Sequence, residues 1–277
     1  MVVTIDTDAG LFRLAENGRC EERPLFDPEA FRILSRQWLI LGWNLGYWAC
    51  FSWMGRQLLQ LPDDVLRLAE LLWRVRPDVI VETGVYDGGS TLLFASLCRL
   101  AGRGRVISVE RGFRPGVRAA VMEAAGDLVT LIEGDSALPE TAARVEREMR
   151  RDERVCVFLD SDHSARHVAM ELRHLSHMVS PGCYLLVADS ICADLAHTPA
   201  GEAAWKYDHP GTAVDEFLAT HPEFTRTRPA PLFTGEFDFT ELSYFPSTWL
   251  IRQGTAEARP RAPRQRALAA PPRKAVR

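Results

Sequence analysis

From residue 62 onward the chain alternates between two hydrophobic periods. Val65, Leu68, Ala69 and Leu72 recur at helical spacing behind Pro62-Asp63-Asp64, which predicts a helix starting there. Asp78-Val79-Ile80-Val81-Glu82 is a short continuous apolar run ending in an acid, the pattern of a strand buried on both faces. The alternation repeats, with strands expected at 105–110, 128–133, 155–160 and 182–189 and helices at 90–100, 116–125, 140–150 and 165–179. A helix at 212–220 and strands near 224–228 and 248–252 complete the series. Such alternation implies βαβ units and a parallel sheet covered on both faces. The expected fold is α/β: a seven-stranded, mostly parallel sheet flanked by helices, with its last strand antiparallel. Residues 229–246 read as a loop-rich stretch with aromatics.

Three regions follow from this pattern. Residues 1–60 read as an N-terminal helical extension or lid, 61–254 as the catalytic domain, and 255–277 as a disordered basic tail rich in Ala, Arg and Pro. Residues 38–55 carry no charge, but Asn44, Ser52 and three glycines interrupt them, and Trp38, Trp43, Trp48 and Trp53 recur throughout. A membrane span needs about 20 strongly apolar residues with aromatics at its ends. The stretch therefore reads as a buried lid or an oligomer contact. The N-terminal MVVTIDTDAG has acids and no basic region, so it does not read as a signal peptide. A cytoplasmic protein is expected.

Composition sharpens this picture. The 277 residues are 47% hydrophobic and 25% charged, as in globular chains. Net charge is −4, yet the tail alone carries +6, leaving an acidic body of −10. An acidic body argues against nucleic acid as a partner and fits a cationic ligand or a metal held by carboxylates. None of the six cysteines forms a CxxC pair, so zinc and disulfide frameworks are not expected. Lys206 and Lys274 are the only lysines, which leaves Lys206 as the one lysine of the body.

The candidate chemistry lies at the strand ends, where open parallel sheets bind ligands. The first strand ends in Glu82-Thr83-Gly84-Val85-Tyr86-Asp87-Gly88-Gly89-Ser90. Gly84 and Gly88 let backbone approach a ligand, Ser90 can cap the next helix, and Glu82 suits an ammonium better than a phosphate. The spacing is neither GxGxxG nor a P-loop. Glu110 ends the second strand and can accept two ribose hydroxyls, and Asp135, in Glu133-Gly134-Asp135-Ser136, can accept from an adenine amine. These three acids outline S-adenosylmethionine better than NAD. Asp160 and Asp189 end the fourth and fifth strands, a pair of hard oxygen donors suited to Mg²⁺. His163, just past Asp160, can act as a base near neutral pH. His167 and Glu171 continue its face and read equally well as a surface pair.

Three runs carry a family resemblance: Trp53-Met54-Gly55…Gln60-Leu61-Pro62-Asp63, Arg76-Pro77-Asp78-Val79-Ile80-Val81-Glu82-Thr83-Gly84…Gly88-Gly89-Ser90, and Leu159-Asp160-Ser161-Asp162-His163-Ser164 with His167-Val168 and Glu171-Leu172. Over residues 35–253 the chain resembles the cephalosporin hydroxylase / rhamnosyl O-methyltransferase family. The resemblance implies a Rossmann-like class I methyltransferase that binds S-adenosylmethionine and Mg²⁺, works in antibiotic, glycolipid or sugar tailoring, and forms homo-oligomers. It implies that Gly84, Gly88 and Ser90 form the methionine loop over Glu82, that Glu110 is the ribose acid, and that Asp135 with Ser136 forms the adenine pocket. It implies Asp160 and Asp189 as metal ligands. The chain departs from the pattern at Ala188, where many relatives have Glu. Ala188-Asp189-Ser190 also resembles the Ala-Asp-Asn of catechol O-methyltransferases, which implies Ser190 as a further ligand. The lysine base of those enzymes falls near His163. The family's Gly-Pro-Gly becomes His209-Pro210-Gly211, which implies a second candidate base, His209.

The expected function is Mg²⁺-assisted O-methyl transfer from S-adenosylmethionine to a hydroxyl of a small secondary metabolite or its sugar. One alternative is a hydroxylase, with Asp160, His163 and His167 as an iron site. Another is a catalytically silent S-adenosylmethionine-binding protein, the reading that Ala188 favours.

Overall fold

The computed structural model describes residues 1–227 and 242–254. The loop reading of 229–246 falls, for 229–241, outside the described residues, as does the tail at 255–277.

The chain opens with β1 (Val2–Asp6), β2 (Leu11–Glu16) and β3 (Arg19–Pro24), paired as an antiparallel sheet of their own. This corrects the expected helical extension, which holds only for α1 (Pro28–Asn44). The reason is local. Val2, Val3, Thr4 and Ile5 favour strand, and Asn17-Gly18 supplies a two-residue hairpin turn between Glu16 and Arg19. Phe12 packs fully buried against Ala30 and Ile33 of α1, a small core separate from the main one. A hairpin of β4 (Phe51–Trp53) and β5 (Arg56–Leu58) follows.

The body begins with α2 (Pro62–Val75), which has Pro62 in its first turn, Asp63 and Asp64 beside it and Arg74 at the far end, each placed to suit the helix dipole. Then come β6 (Val79–Thr83), α3 (Gly89–Ala101), β7 (Arg105–Glu110), α4 (Val117–Ala125), β8 (Val129–Glu133) and α5 (Pro139–Arg147). They are followed by β9 (Val155–Leu159), α6 (Ala165–Leu175), β10 (Tyr184–Val187), α7 (Cys192–Leu195), α8 (Pro210–Thr220), β11 (Phe224–Arg226) and β12 (Trp249–Arg252). Seven strands form one sheet in the order β8-β7-β6-β9-β10-β12-β11. Only β12 runs antiparallel to its neighbours. Every residue of β6, β9 and β10 is buried, as central parallel strands between two helical layers require.

The direction reverses at β6, where the chain crosses from β8 over to β9. This is the switch point at which ligands of such sheets bind. No helix among the described residues is long and apolar enough to cross a membrane.

Candidate functional site

Parallel register brings the ends of β6, β7, β9 and β10 to one rim. Beyond it lies a cavity of about 490 Å³, bounded by Gly84, Glu110, Asp160 and Asp189 on the sheet side and roofed by Trp43, Trp48 and Gln60.

Glu110 stands on the cavity wall. Its Oε2 accepts from the backbone amides of Val85 and Tyr86 at 2.9 and 2.8 Å, so the acid shapes the Gly84–Ser90 loop as well as lining the cavity. Glu82 lies beneath that loop, fully buried and off the cavity lining. Its Oε2 accepts from Thr91 Oγ1 at 2.5 Å and Ser108 Oγ at 2.6 Å. Burial pushes its carboxyl above the usual range against the pull of those hydroxyls and of Ser90. Glu82 therefore supports Ser90, which does line the cavity, rather than meeting an ammonium directly. Ser90 does not cap α3, since the cap position is Gly88.

The glycines serve the chain more than the ligand. Gly84 has φ +83°, and a Cβ there would lie 2.0 Å from the Asp160 carbonyl oxygen. Its missing side chain lets the ends of β6 and β9 meet. Gly88, at φ +91°, makes room for Val121 of α4 and does not border the cavity. On the far side, Ser136 lines the cavity and Asp135 does not. The Asp135 carboxylate caps the Ala137 amide and pairs with Arg111 at 3.1 Å.

Asp160, His163 and Asp189 each offer one donor atom, all within 4.8 Å of one another. Burial, and for Asp160 next the charge of Asp189, holds both carboxyls well above the usual carboxylate range. Gln60 Nε2 donates to Asp160 Oδ2 at 2.7 Å. Asp189 has φ +58°, a left-handed conformation uncommon outside glycine and one that concentrates at functional sites. His163 Nε2 lies 3.2 Å from Asp189 Oδ2.

Two further expected residues fall elsewhere. Ser190 is buried, its hydroxyl accepts from Thr248 Oγ1 at 3.1 Å, and it does not line the cavity. His209 caps α8, its Nδ1 accepting from the Gly211 amide at 3.1 Å, and it does not line the cavity. Burial also holds its pKa below the ordinary value. Ala188 is buried in the core and does not line the cavity.

His167 and Glu171 are not a surface pair. Glu171 is fully buried. Its Oε1 accepts from Ser161 Oγ at 2.7 Å, and His167 Nε2 lies 3.1 Å from Ser161 Oγ and 3.2 Å from Ser136 Oγ. Glu171 raises the His167 pKa. This network stiffens the cavity wall at Ser136 and Ser161. It also takes His167 out of the donor cluster, so the two-histidine iron arrangement is not assembled. The i, i+4 spacing of His167 and Glu171 was the available signal. For Gln60 there was only its place in the Gln-Leu-Pro-Asp run.

The strand order, the single reversed strand and the acids along one rim define a class I methyltransferase fold. The model of the Rhamnosyl O-methyltransferase/CmcI family matches residues 45–253, and the chain belongs to this family. It is 30% identical over 145 residues to the rhamnosyl O-methyltransferase of Mycobacterium leprae (strain TN), covering 52% of this chain and 62% of that one. The same protein of Mycobacterium tuberculosis (strain ATCC 25618 / H37Rv) is also 30% identical, with 58% of its length covered. The chain thus spans about three fifths of the length of these curated relatives. Among solved structures, the CmcI-N160 apo-structure aligns with TM-score 0.54 at 22% identity, over 75% of this chain and 78% of that one. The cmcI-D160 Mg-SAM structure aligns with TM-score 0.52 at 22% identity, over 74% and 78%.

Proposed function

We propose that the chain is an S-adenosylmethionine-dependent O-methyltransferase that uses Mg²⁺ to methylate a hydroxyl of a small secondary metabolite or its sugar. The observation that carries this reading is a single cavity with Glu110 and the loop amides at one end and Asp160, Asp189 and His163 at the other. The names of the curated relatives and the Mg-SAM complex of CmcI support it.

The acid pair fits a divalent cation. Burial, and for Asp160 next the charge of Asp189, makes these carboxyls resist ionisation, and a hard dication would offset both through oxygen donors. When bound, S-adenosylmethionine supplies an activated methyl group and the cation supplies Lewis acidity at the accepting oxygen. The chain does the rest. Glu110 accepts the ribose hydroxyls while holding Val85 and Tyr86 in place. Ser136, fixed by His167, bounds the adenine. Asp160 and Asp189 hold the cation. His163, oriented by Asp189 against its Nε2, takes the hydroxyl proton at the other ring nitrogen, Nδ1. Trp43 and Trp48 roof the cavity and exclude water. The remaining contribution is alignment of the reacting groups.

Calorimetry with S-adenosylmethionine, with and without Mg²⁺, tests the binding, and mass-spectrometric detection of a methylated product across glycosylated acceptors tests the reaction. Absence of cofactor binding by the folded chain overturns the reading. Homo-oligomerisation is supported by Trp38 and Leu41 of α1 and Leu45 at its C-cap, which are 43%, 62% and 84% exposed, and light scattering measures it.

A further inference from the structure

The run from Trp53 to Asp63 contributes no expected catalytic residue, yet it ties together the two halves of the site. At one end Arg56 Nη2 and the Gln57 amide donate to the Asp87 carboxylate at 2.5 and 2.7 Å, and Arg56 Nε donates to the Asp87 carbonyl at 2.7 Å. The Gln57 carbonyl lies so close to Gly89 that a Cβ there would come within 2.1 Å of it. This strap is therefore clamped onto the loop that opens α3. Three residues further on, Gln60 Nε2 donates to Asp160 Oδ2 at 2.7 Å. Gln60 is 4% exposed, and the fully buried Leu61 and the start of α2 follow it directly, so its backbone has little freedom.

The chemistry of an amide matters here. It donates a hydrogen bond without carrying charge. It can fix the rotamer of Asp160 by engaging one carboxylate oxygen, leaving the other for a ligand and the full negative charge in place. A lysine or arginine at the same point would compete with the cation.

We infer that Gln60 is a positioning residue for the acid pair, and that the strap Arg56–Gln60 couples cation binding at Asp160 to cofactor binding at the Gly84–Gly89 loop. The inference rests on the methyltransferase reading. Coupling of this kind is reciprocal, so each ligand tightens the other by the same factor.

The test uses the full chain, Mn²⁺ as the cation probe followed by paramagnetic resonance, and S-adenosylhomocysteine followed by calorimetry. Gln60→Met keeps the length and packing but lacks the donor, and Gln60→Leu replaces it if the first variant does not fold. Mn²⁺ affinity should fall about tenfold or more, the scale of a lost hydrogen bond to a charged group. Affinity for S-adenosylhomocysteine without cation should stay unchanged, and the mutual enhancement expected of the wild type should shrink. In turnover the apparent KM for the cation should rise while kcat at saturating cation changes little. Arg56→Met should reduce the enhancement and leave the Mn²⁺ affinity of the cofactor-free chain as it was. Wild-type Mn²⁺ affinity in Gln60→Met overturns the positioning role. A wild-type chain that binds S-adenosylhomocysteine but no Mn²⁺ instead overturns the cation half of the methyltransferase reading, and this role with it. A chain that binds neither overturns the cofactor reading itself.

Discussion

His163 Nε2 and Asp189 Oδ2 stand 3.2 Å apart, on adjacent strand ends beside the cavity. A carboxylate in that position orients an imidazole and keeps one nitrogen directed at the acid rim. The base role predicts that His163→Ala retains cation binding and loses about 10²–10⁴-fold in rate. Its residual rate should climb with pH as free hydroxide substitutes. Loss of Mn²⁺ binding in His163→Ala would show a ligand in place of a base.

Asp160→Asn and Asp189→Asn should each weaken cation binding and leave S-adenosylhomocysteine affinity largely intact, as measured by titration calorimetry. Full turnover in excess chelator would overturn the cation assignment.

The same carboxylates set a pH dependence. Burial raises Asp189 to about 7 and, with the charge of Asp189, Asp160 to about 8, and burial raises Asp64 likewise to about 7, so the folded chain holds protons that the unfolded chain has already lost. Their contribution to stability is present below the ordinary carboxylate range and is lost as pH rises through about 7 to 8. The cation-free chain should therefore melt at lower temperature at pH 8 than at pH 5. Asp189→Asn should flatten that fall, and saturating Mg²⁺ should offset it. A melting temperature that rises with pH in the cation-free chain would contradict the assignment.

Glu110→Ala removes a carboxylate that serves both ligand and loop. Each lost charge-assisted bond costs about 1.5–3 kcal/mol when desolvated. Cofactor affinity should fall at least tenfold, a drop equal to about 1.4 kcal/mol, with cation affinity nearly unchanged. Unaltered S-adenosylmethionine affinity in a folded Glu110→Ala protein would defeat the ribose assignment.

Two substitutions act on the frame instead. Gly84→Val drives a side chain into the Asp160 carbonyl from a left-handed backbone, and should destabilise by more than about 2 kcal/mol in a denaturant titration. Ala188→Glu, which would restore the residue of many relatives, buries a carboxylate in the core and should lower the melting temperature without tightening Mg²⁺.

The central sheet was legible because β6, β9 and β10 are buried on both faces and read as unbroken apolar runs. Glu110, Asp160 and Asp189, all on the cavity wall, were legible as positions because they stand at the ends of β7, β9 and β10. The residues around Asp189 were harder to read. Ala188, Asp189 and Ser190 are consecutive, and only the backbone turn at Asp189 decides which of them meets the cavity. The hairpin at Asn17-Gly18 carried a local signal that the helical reading passed over. Gln60 and Asp64 were opaque for a different reason, since their partners Asp160 and Tyr244 lie 100 and 180 positions away in sequence.

Those separations bear on how the molecule assembles. Closing such long loops is slow relative to forming local βαβ contacts. The roof meets the rim only after the strands that carry Asp160 and the segment that carries Tyr244 have found their places. During refolding, secondary structure should return first and the capacity to bind S-adenosylhomocysteine last, so that ligand recognition reports the final step of folding.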